Sequence, residues 1–448
     1  MRLLTFLLVF IGVAILVVGS IFWINRDAFI AVFQNRPALL EGSEWVEKTY
    51  SLAGLIEFMA EQPQHATLLS VPFSAGIDVH KDPESTMNVP AELGVTDNQD
   101  IPDDLDIPDD QDIPDDQDGS KGPDDEPVVR YRSDRMYPAG TLSNLLLLIT
   151  YADLVTSNTL DPRTPADTDV ITAFHIPGLD RTHIRNFHQW ISGLDEPPTT
   201  DELVRYLVMH DDPAAADYLY FHLGADEVAR RTAMLGGGFI ESPVPQFGIR
   251  MKALEHPENV TQSEQLALLA QQERPVFLED AVAVARRQWV QPRERPETAI
   301  TSFSDQRALH RLYPQIQPER FAGLLKSIWQ GTLISEEVSS LLRDLLEREP
   351  DDRLLAPHVT HYAAHFDERM GYMNGWSLGG KTKQDPFRVQ IILAVDIPAG
   401  LWFHMNSNFM VRDFHNRMLY DPVIRNRTCE LLCSSESQVA QVQHNGPE

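Results

Sequence analysis

The spacing of apolar residues predicts a helix and a pair of strands near the start of the chain. Apolar side chains recur at helical spacing from Trp45 to Met59, after a capping-type residue at Ser43. The next segment, "ATLLSVPFSAG", has the apolar character of a strand, and "VVRYRS" that of its return strand. The pattern therefore predicts a helix followed by an antiparallel hairpin.

The rest of the chain is helical in pattern until its last quarter. Helical spacing predominates from about Thr141 to Arg348, and "RPVFLEDAVAVARRQWV" continues it. Near the end, "FRVQIILAVDIP" and "GLWFHMNSN" are predicted to be two strands joined by a Pro-Ala-Gly turn, before a closing helix from Val411 to Leu432. We expect an α/β (α+β) protein in which both chain ends build one antiparallel sheet and the central helices form a second lobe. A cleft between the lobes is then the expected site.

The N-terminus carries a run that changes this picture. No charged residue occurs from Leu3 to Ile24, and such a length of helix crosses a hydrocarbon core of about 30 Å. The run exceeds a signal-peptide core, and no small-residue cleavage site follows it. We expect a single-pass anchor with a cytoplasmic N-terminus and a periplasmic or extracellular bulk. A long cleaved signal peptide is the alternative.

An acidic repeat interrupts the predicted hairpin. The hexapeptide x-Asp-Ile-Pro-Asp-Asp occurs three times from Gln99 to Asp116, and residues 97–126 hold 14 acids and one lysine. Prolines block regular structure and like charges repel, so we expect an extended, solvated, disordered loop. A weak calcium site is the alternative, although the glycine typical of calcium loops is missing from the repeats. The loop is also a possible contact for a protein partner.

Charge and cysteine content limit the possible functions. The formal net charge of −29 argues against nucleic acid as a partner, because phosphate binding needs a basic surface. Cys429 and Cys433 are too few for a disulfide framework. A bridge between them would strain a helix, and no ligand set for a metal accompanies them. We therefore expect two unpaired thiols, no metal and no cofactor.

Three segments carry motifs that suggest chemistry. In "YPAGTLSNLLLL" a turn leads into an apolar helix, with Thr141 and Asn144 spaced as a nucleophile and its base would be. In "VMHDDPAAADY" the tripeptide from His210 to Asp212 precedes a second helix. In "WSLGGKTKQDPFRVQIILAVD" a lysine–threonine pair, Lys381 and Thr382, is followed by Lys383.

Together these segments resemble the serine β-lactamase and penicillin-binding protein superfamily, class A in particular. That family carries S-x-x-K, S-D-N and K-T-G motifs in this order. The resemblance covers roughly Trp45 to Cys433 and implies a two-lobe serine-hydrolase fold. Together with the uncharged run at the N-terminus, it divides the chain into an anchor at 1–25, a linker at 26–42, a β-lactamase-like domain at 43–435 and a flexible tail at 436–448. Within the domain, 97–126 is the acidic insertion and 271–318 a helical insertion that could roof the cleft.

The resemblance also indicates which catalytic groups are replaced. Thr141 keeps a hydroxyl, but its methyl group crowds the attack path. Asn144 stands where the family has its lysine, and an amide cannot accept the proton of a nucleophile. The other reading of both residues is that they cap the start of a helix.

The second and third motifs leave a rival interpretation open. His210 stands where the family's bridging serine would face the cleft, so it could act as a base for Thr141, oriented by Asp211 or Asp212. Lys381 and Thr382 could bind a carboxylate or an oxyanion, whereas Lys383 would obstruct a ligand along the strand. Glu255 is a weak match to the family's water-activating glutamate; an exposed loop residue is the alternative.

These observations favour a membrane-anchored, exported, β-lactamase-like protein that is catalytically degenerate. We expect a non-catalytic or weakly active cell-envelope protein that binds peptide-like or cell-wall ligands. The alternative is an active β-lactamase or peptidase relative that uses Thr141 with His210 as its base. A structural envelope protein that recruits partners through the acidic loop is a third hypothesis.

Overall fold

A computed structural model describes residues 40–74, 127–255, 262–293, 302–348, 355, 358–359, 361–381 and 387–444. The predicted membrane anchor, the acidic repeat, Thr382 and Lys383 lie outside these residues. Among the helices that are described, none has both the length and the apolar character needed to cross a membrane.

One antiparallel sheet is built from both ends of the described chain. Its strands lie in the order β2-β1-β7-β6-β5, with these bounds: β1 Ala66–Phe73, β2 Val129–Tyr131, β5 His361–Asp367, β6 Met373–Gly380 and β7 Phe387–Ala394. A separate two-stranded sheet pairs β3, Tyr137–Pro138, with β4, Gln315–Ile316. The pairing of β1 with β2 confirms the predicted hairpin.

Helices fill the chain between the two parts of the sheet. Before β1 come α1 Ser43–Val46 and α2 Leu52–Glu61. The central helices are α3 Asn144–Thr156, α4 Thr168–Phe174, α5 Arg181–Ser192, α6 Thr200–His210, α7 Pro213–His222, α8 Ala225–Gly236, α9 Gln246–Ala253, α10 Gln262–Leu268, α11 Arg274–Val290, α12 Phe303–His310, α13 Pro318–Trp329 and α14 Glu336–Leu346. After β7 come α15 Ala399–Ser407, α16 Met410–Tyr420 and α17 Pro422–His444.

The sheet is buried on both of its faces. Along β7, Val389 and Ile391 belong to the core shared with the central helices, whereas Ile392 and Ala394 belong to the core shared with α1, α2 and the C-terminal helices. Because both faces are covered, even the two polar residues of β7, Arg388 and Gln390, are buried. The expectation of an antiparallel sheet from both chain ends beside a helical lobe is confirmed.

Three boundaries differ from the sequence prediction. "GLWFHMNSN" forms α15 rather than a strand, and the neighbour of β7 is β6, which precedes it in the chain. The predicted helix from Val411 to Leu432 is two helices, because α16 ends at Tyr420 and Pro422 begins α17. The first helix is also divided, because Ser51 caps a new start at α2.

Candidate functional site

Thr141 lies at the junction of a short 3₁₀ turn, Gly140–Ser143, with α3. Its side chain is fully buried. The turn is possible because Gly140 adopts a φ of +58°, a conformation that side chains rarely tolerate. The sequence places a hydroxyl at a helix start, as predicted, but the fold encloses it.

The side chain in contact with the Thr141 hydroxyl is a histidine that the motifs did not point to. His365 Nε2 lies 2.9 Å from Thr141 Oγ1. His365 belongs to β5, the edge strand, whose alternation points His365 and Asp367 to the same side of the sheet. This His-x-Asp pair on a strand was the sequence signal that could have identified it.

The Asp367 carboxylate accepts a hydrogen bond from the backbone N–H of Thr141, the candidate nucleophile. Its Oδ2 accepts the backbone N–H of Thr141 at 2.7 Å and the Tyr372 hydroxyl at 3.0 Å. Its other oxygen lies 3.1 Å from Arg369 Nε. The carboxylate is almost entirely buried, so the Arg369 guanidinium and two hydrogen bonds offset the cost of removing its charge from water.

Asp211 completes the cluster. Asn144 Nδ2 donates to Asp211 Oδ1 at 3.0 Å, and His365 Nε2 lies 3.7 Å from the same oxygen. Burial raises the pKa of the Asp211 carboxyl, and the Asp367 charge adds to this, while His365 and Arg369 oppose it. Asn144 is therefore engaged with a carboxyl group rather than with the Thr141 hydroxyl.

The cavity beside Thr141 is small. Its volume is about 30 Å³, and its walls are mainly leucines from α3 and α6 together with Trp376. Space of this size holds one or two water molecules. A peptide or a bicyclic drug does not enter it in this conformation.

Several solved structures are similar to this chain. A β-lactamase from Sphaerobacter thermophilus has 12% sequence identity and a TM-score of 0.42, over 86% of this chain and 98% of that chain. A β-lactamase from Chitinophaga pinensis has 10% identity and a TM-score of 0.40, over 81% and 99%. PBP-A in an acyl-enzyme complex with penicillin G has 12% identity and a TM-score of 0.41, over 81% and 95%.

These similar structures are two β-lactamases and a penicillin-binding protein. At these identities the similarity concerns the fold alone. No protein-family model matches the sequence, and no significant match is found among curated protein sequences.

The β-lactamase-like second motif lies one residue later than the sequence suggested. The residue that faces Thr141 is Asp211, because it ends α6 in a left-handed conformation with a φ of +47°. His210 instead lies on the ring of Tyr206, with centroids 4.5 Å apart. Burial lowers the pKa of His210, which favours its neutral form. The structure thus brings Thr141 to His365, and the proposed pairing with His210 is corrected.

Asp212 lies in the interior of the protein and does not face the Thr141 cleft. It is fully buried, caps α7 by accepting the N–H groups of Ala214 and Ala215, and binds His175 Nε2 at 3.0 Å. Burial opposes its ionisation, but the His175 hydrogen bond and charge hold the pKa of Asp212 below its usual value. It does not orient a base for Thr141.

Lys381, the described residue of the third motif, lies away from Thr141. The strand next to Thr141 is β5, while Lys381 follows the far end of β6, where Gly380 pairs with His361. His365 pairs with Trp376 across the two strands. Lys381 lies about 15 Å further along the strand direction than this pair. Lys381 is exposed and does not line the Thr141 cavity. The positions of Thr382 and Lys383 are not described, so their predicted roles stay untested.

Glu255 does not approach the site either. It is paired with Lys252 at 2.8 Å on the outside of α9. The side chain that borders Asn144 from this direction is Gln246, in a second small cavity. Arg250 and Arg369 both donate to Gln246 Oε1, and neither had been predicted.

The same region yields a prediction about pH. Asp217 accepts the N–H groups of Gln246 and Phe247, both at 2.7 Å, yet burial raises its pKa from the ordinary 3.8 to about 7. The folded chain then binds this proton more tightly than the unfolded chain. The stabilisation is complete below pH 4 and is lost as the pH rises through 7, with an upper limit of about 4 kcal/mol.

Asp217→Asn should therefore abolish this pH dependence. Urea unfolding of both proteins from pH 5 to pH 8.5 measures it, because the difference between the two free energies of unfolding cancels the other titrating groups. The difference should move by a few kcal/mol in favour of the variant as the pH rises. Parallel curves would show that Asp217 is ionised throughout.

Proposed function

We propose that this protein is a catalytically degenerate, β-lactamase-like cell-envelope protein that acts by binding rather than by acyl transfer. The observation that carries the proposal is the Asp367 carboxylate on the backbone N–H of Thr141. Acyl transfer uses such an N–H to stabilise the oxyanion of the tetrahedral intermediate. A carboxylate in that place takes up the donor and repels the developing negative charge.

The remaining groups support the same proposal. The Thr141 hydroxyl is buried, and the cavity beside it admits only water-sized molecules. Asn144 has no basicity, and it donates to Asp211. Each polar group that chemistry would need is therefore already satisfied by another protein group. Such satisfied networks are rigid, and they stabilise one arrangement of the core.

A fluorescent penicillin tests the proposal directly. The protein should show no time-dependent covalent labelling, and Thr141→Ala should behave identically, because the nucleophile is enclosed and its oxyanion donor is occupied. The readout is in-gel fluorescence with intact mass spectrometry, with an active penicillin-binding protein as positive control. Labelling that disappears in Thr141→Ala would refute the degenerate interpretation.

A second candidate function rests on the 2.9 Å contact between Thr141 and His365. In this alternative Thr141 is a nucleophile and His365 its base, in place of His210. One feature weakens it: Asp211 approaches His365 Nε2, the same nitrogen that contacts Thr141. An orienting carboxylate acts through the other ring nitrogen.

Hydrolysis of a small activated ester, such as p-nitrophenyl acetate, separates the two functions. The second candidate requires turnover that falls in both Thr141→Ala and His365→Ala and persists in His210→Ala. The leading proposal expects the same background rate for all four proteins.

The location in the envelope is also a proposal. It is supported by the uncharged run from Leu3 to Ile24 and by the lack of a positive excess after it. Ligands in that compartment would be peptide-like or cell-wall fragments. Extraction with alkaline carbonate should leave the full chain in the membrane fraction, and a protease added outside spheroplasts should digest its bulk.

A further inference from the structure

Two cavities that are much larger than the Thr141 cleft flank the end of α11. One has a volume of about 540 Å³ and lies between α11 and the start of α8. The other, of about 430 Å³, lies along the adjacent side of α11. They share Arg286 and Val290, so together they form one open surface, here called the α11 groove. Its volume is in the range of ligand sites, unlike the 30 Å³ beside Thr141.

The walls of the α11 groove are apolar and partly exposed. Phe221 and Trp289 lie with ring centroids 5.6 Å apart on one side, and Val282 and Ala283 line the other. Val290 is 76% exposed between them. Aromatic and aliphatic side chains that stand open in a concavity indicate a contact surface.

The rim of the α11 groove is cationic in a strongly acidic protein. Residues 286–293, "RRQWVQPR", hold three arginines and no acid, whereas the chain carries −29. Within the described residues, Arg286 and Arg287 have no carboxylate partner, and Arg286 lies 5.7 Å from the centre of the Phe221 ring. The rim also carries acids, of which Glu227 is engaged by Arg230. An occupant should therefore combine apolar groups with several negative charges.

We propose that the occupant of the α11 groove is the chain's own acidic repeat, Gln99 to Asp116. Each hexapeptide places an apolar Ile-Pro pair directly before an Asp-Asp pair. The Ile-Pro pair fits the apolar walls, and the Asp-Asp pair meets the arginines of the rim, where charge-assisted hydrogen bonds form. Because the repeat occurs three times, three equivalent segments can bind the groove, which increases the probability that one of them is bound.

The insertion is long enough to reach any part of the domain. Residues 75–126 join Ser74, after β1, to Pro127, before β2. About 25 residues of extended chain span roughly 80 Å. Contact within one chain has the advantage of a high effective concentration over contact with a separate protein.

A labelled peptide tests the proposal on the full-length protein in detergent. The probe is a fluorescein-labelled synthetic peptide of residues 99–116, followed by fluorescence anisotropy. One variant replaces the Asp-Asp pairs by Asn in the intact chain, which frees the α11 groove at constant length; its six changes are at Asp103, Asp104, Asp109, Asp110, Asp115 and Asp116. We expect this variant to bind the peptide, and the unmodified protein to bind it about tenfold more weakly.

A charge reversal in the groove identifies the surface. Arg286→Glu, added to the six-Asn variant, should weaken peptide binding by about fivefold or more. Arg185→Glu, an exposed position on α5, changes the net charge equally and should leave binding unaltered. A peptide with Asn in place of the paired Asp residues should bind poorly.

Three outcomes would overturn the proposal. The first is no peptide binding by the six-Asn variant, and the second is equal weakening by Arg185→Glu. The third is peptide binding by the unmodified protein as tight as by the six-Asn variant, which would leave the groove open to a separate partner. None of these outcomes depends on acylation, so they are distinct from a failure of the proposed function.

Discussion

Replacing Gly140 with alanine should lower the free energy of unfolding by about 2–4 kcal/mol. The φ of +58° disfavours any side chain, and a Cβ here would overlap Asp367 Oδ2 and lie 3.0 Å from Tyr372 Cε2. The added methyl must therefore displace the carboxylate that holds the Thr141 amide. Urea denaturation measures the loss, which includes part of the hydrogen bonding around Asp367.

Gly237→Ala is the matched control. Gly237 has nearly the same φ, +56°, but no atom lies within 4 Å of its potential Cβ. Its replacement should cost only the backbone term, about 1 kcal/mol. Equal losses at the two positions would mean that Asp367 moves away without cost, and that its contact with Thr141 stabilises little.

Replacing Asp212 with alanine should cost about 3–5 kcal/mol, because the variant loses a helix cap and the buried contact between Asp212 and His175. Both side chains are fully buried, and their contact is 3.0 Å long. The measurement is the midpoint of urea unfolding, compared between variants whose free energy of unfolding depends equally on urea concentration. Loss of the folded state altogether would agree with the prediction, provided that the control variant folds.

Asp167→Ala provides that control. Asp167 caps α4 through the same pattern, accepting the N–H groups of Asp169 and Val170, but its side chain is exposed. Its loss should cost about 1 kcal/mol, the ordinary value for a cap. If the two variants lose equal stability, the His175 contact contributes nothing beyond the cap.

The architecture could be predicted from the sequence because its signals are local and repeated. β1 and β7 are short, mainly apolar segments, and the central helices have helical spacing, so their type could be predicted from the pattern. The failures lie at short elements. "GLWFHMNSN" is as apolar as a strand but forms α15, and only its packing against the C-terminal core decides between the two. Short apolar runs are ambiguous for this reason.

The site was predicted only in part, since motif spacing does not determine which side chain faces a cavity. Thr141, Asn144 and Asp211 do meet, as the motif order implied. His365 and Asp367 come from a strand more than 200 residues later, and their contact depends on how β5 lies against the start of α3. No local pattern specifies such a contact. Lys381 matched the motif by letters, but it follows the neighbouring strand.

The left-handed backbone conformation of Asp211 limits which residues can replace it. Asp, Asn and Gly adopt that conformation with least strain, so only they fill the position facing Thr141 without cost. A serine there would cost about 1 kcal/mol in backbone strain. It would also remove the carboxylate oxygen that accepts the hydrogen bond from Asn144 Nδ2. Under the proposed binding function, building hydrolase chemistry at this position would therefore require several coordinated substitutions through less stable intermediates.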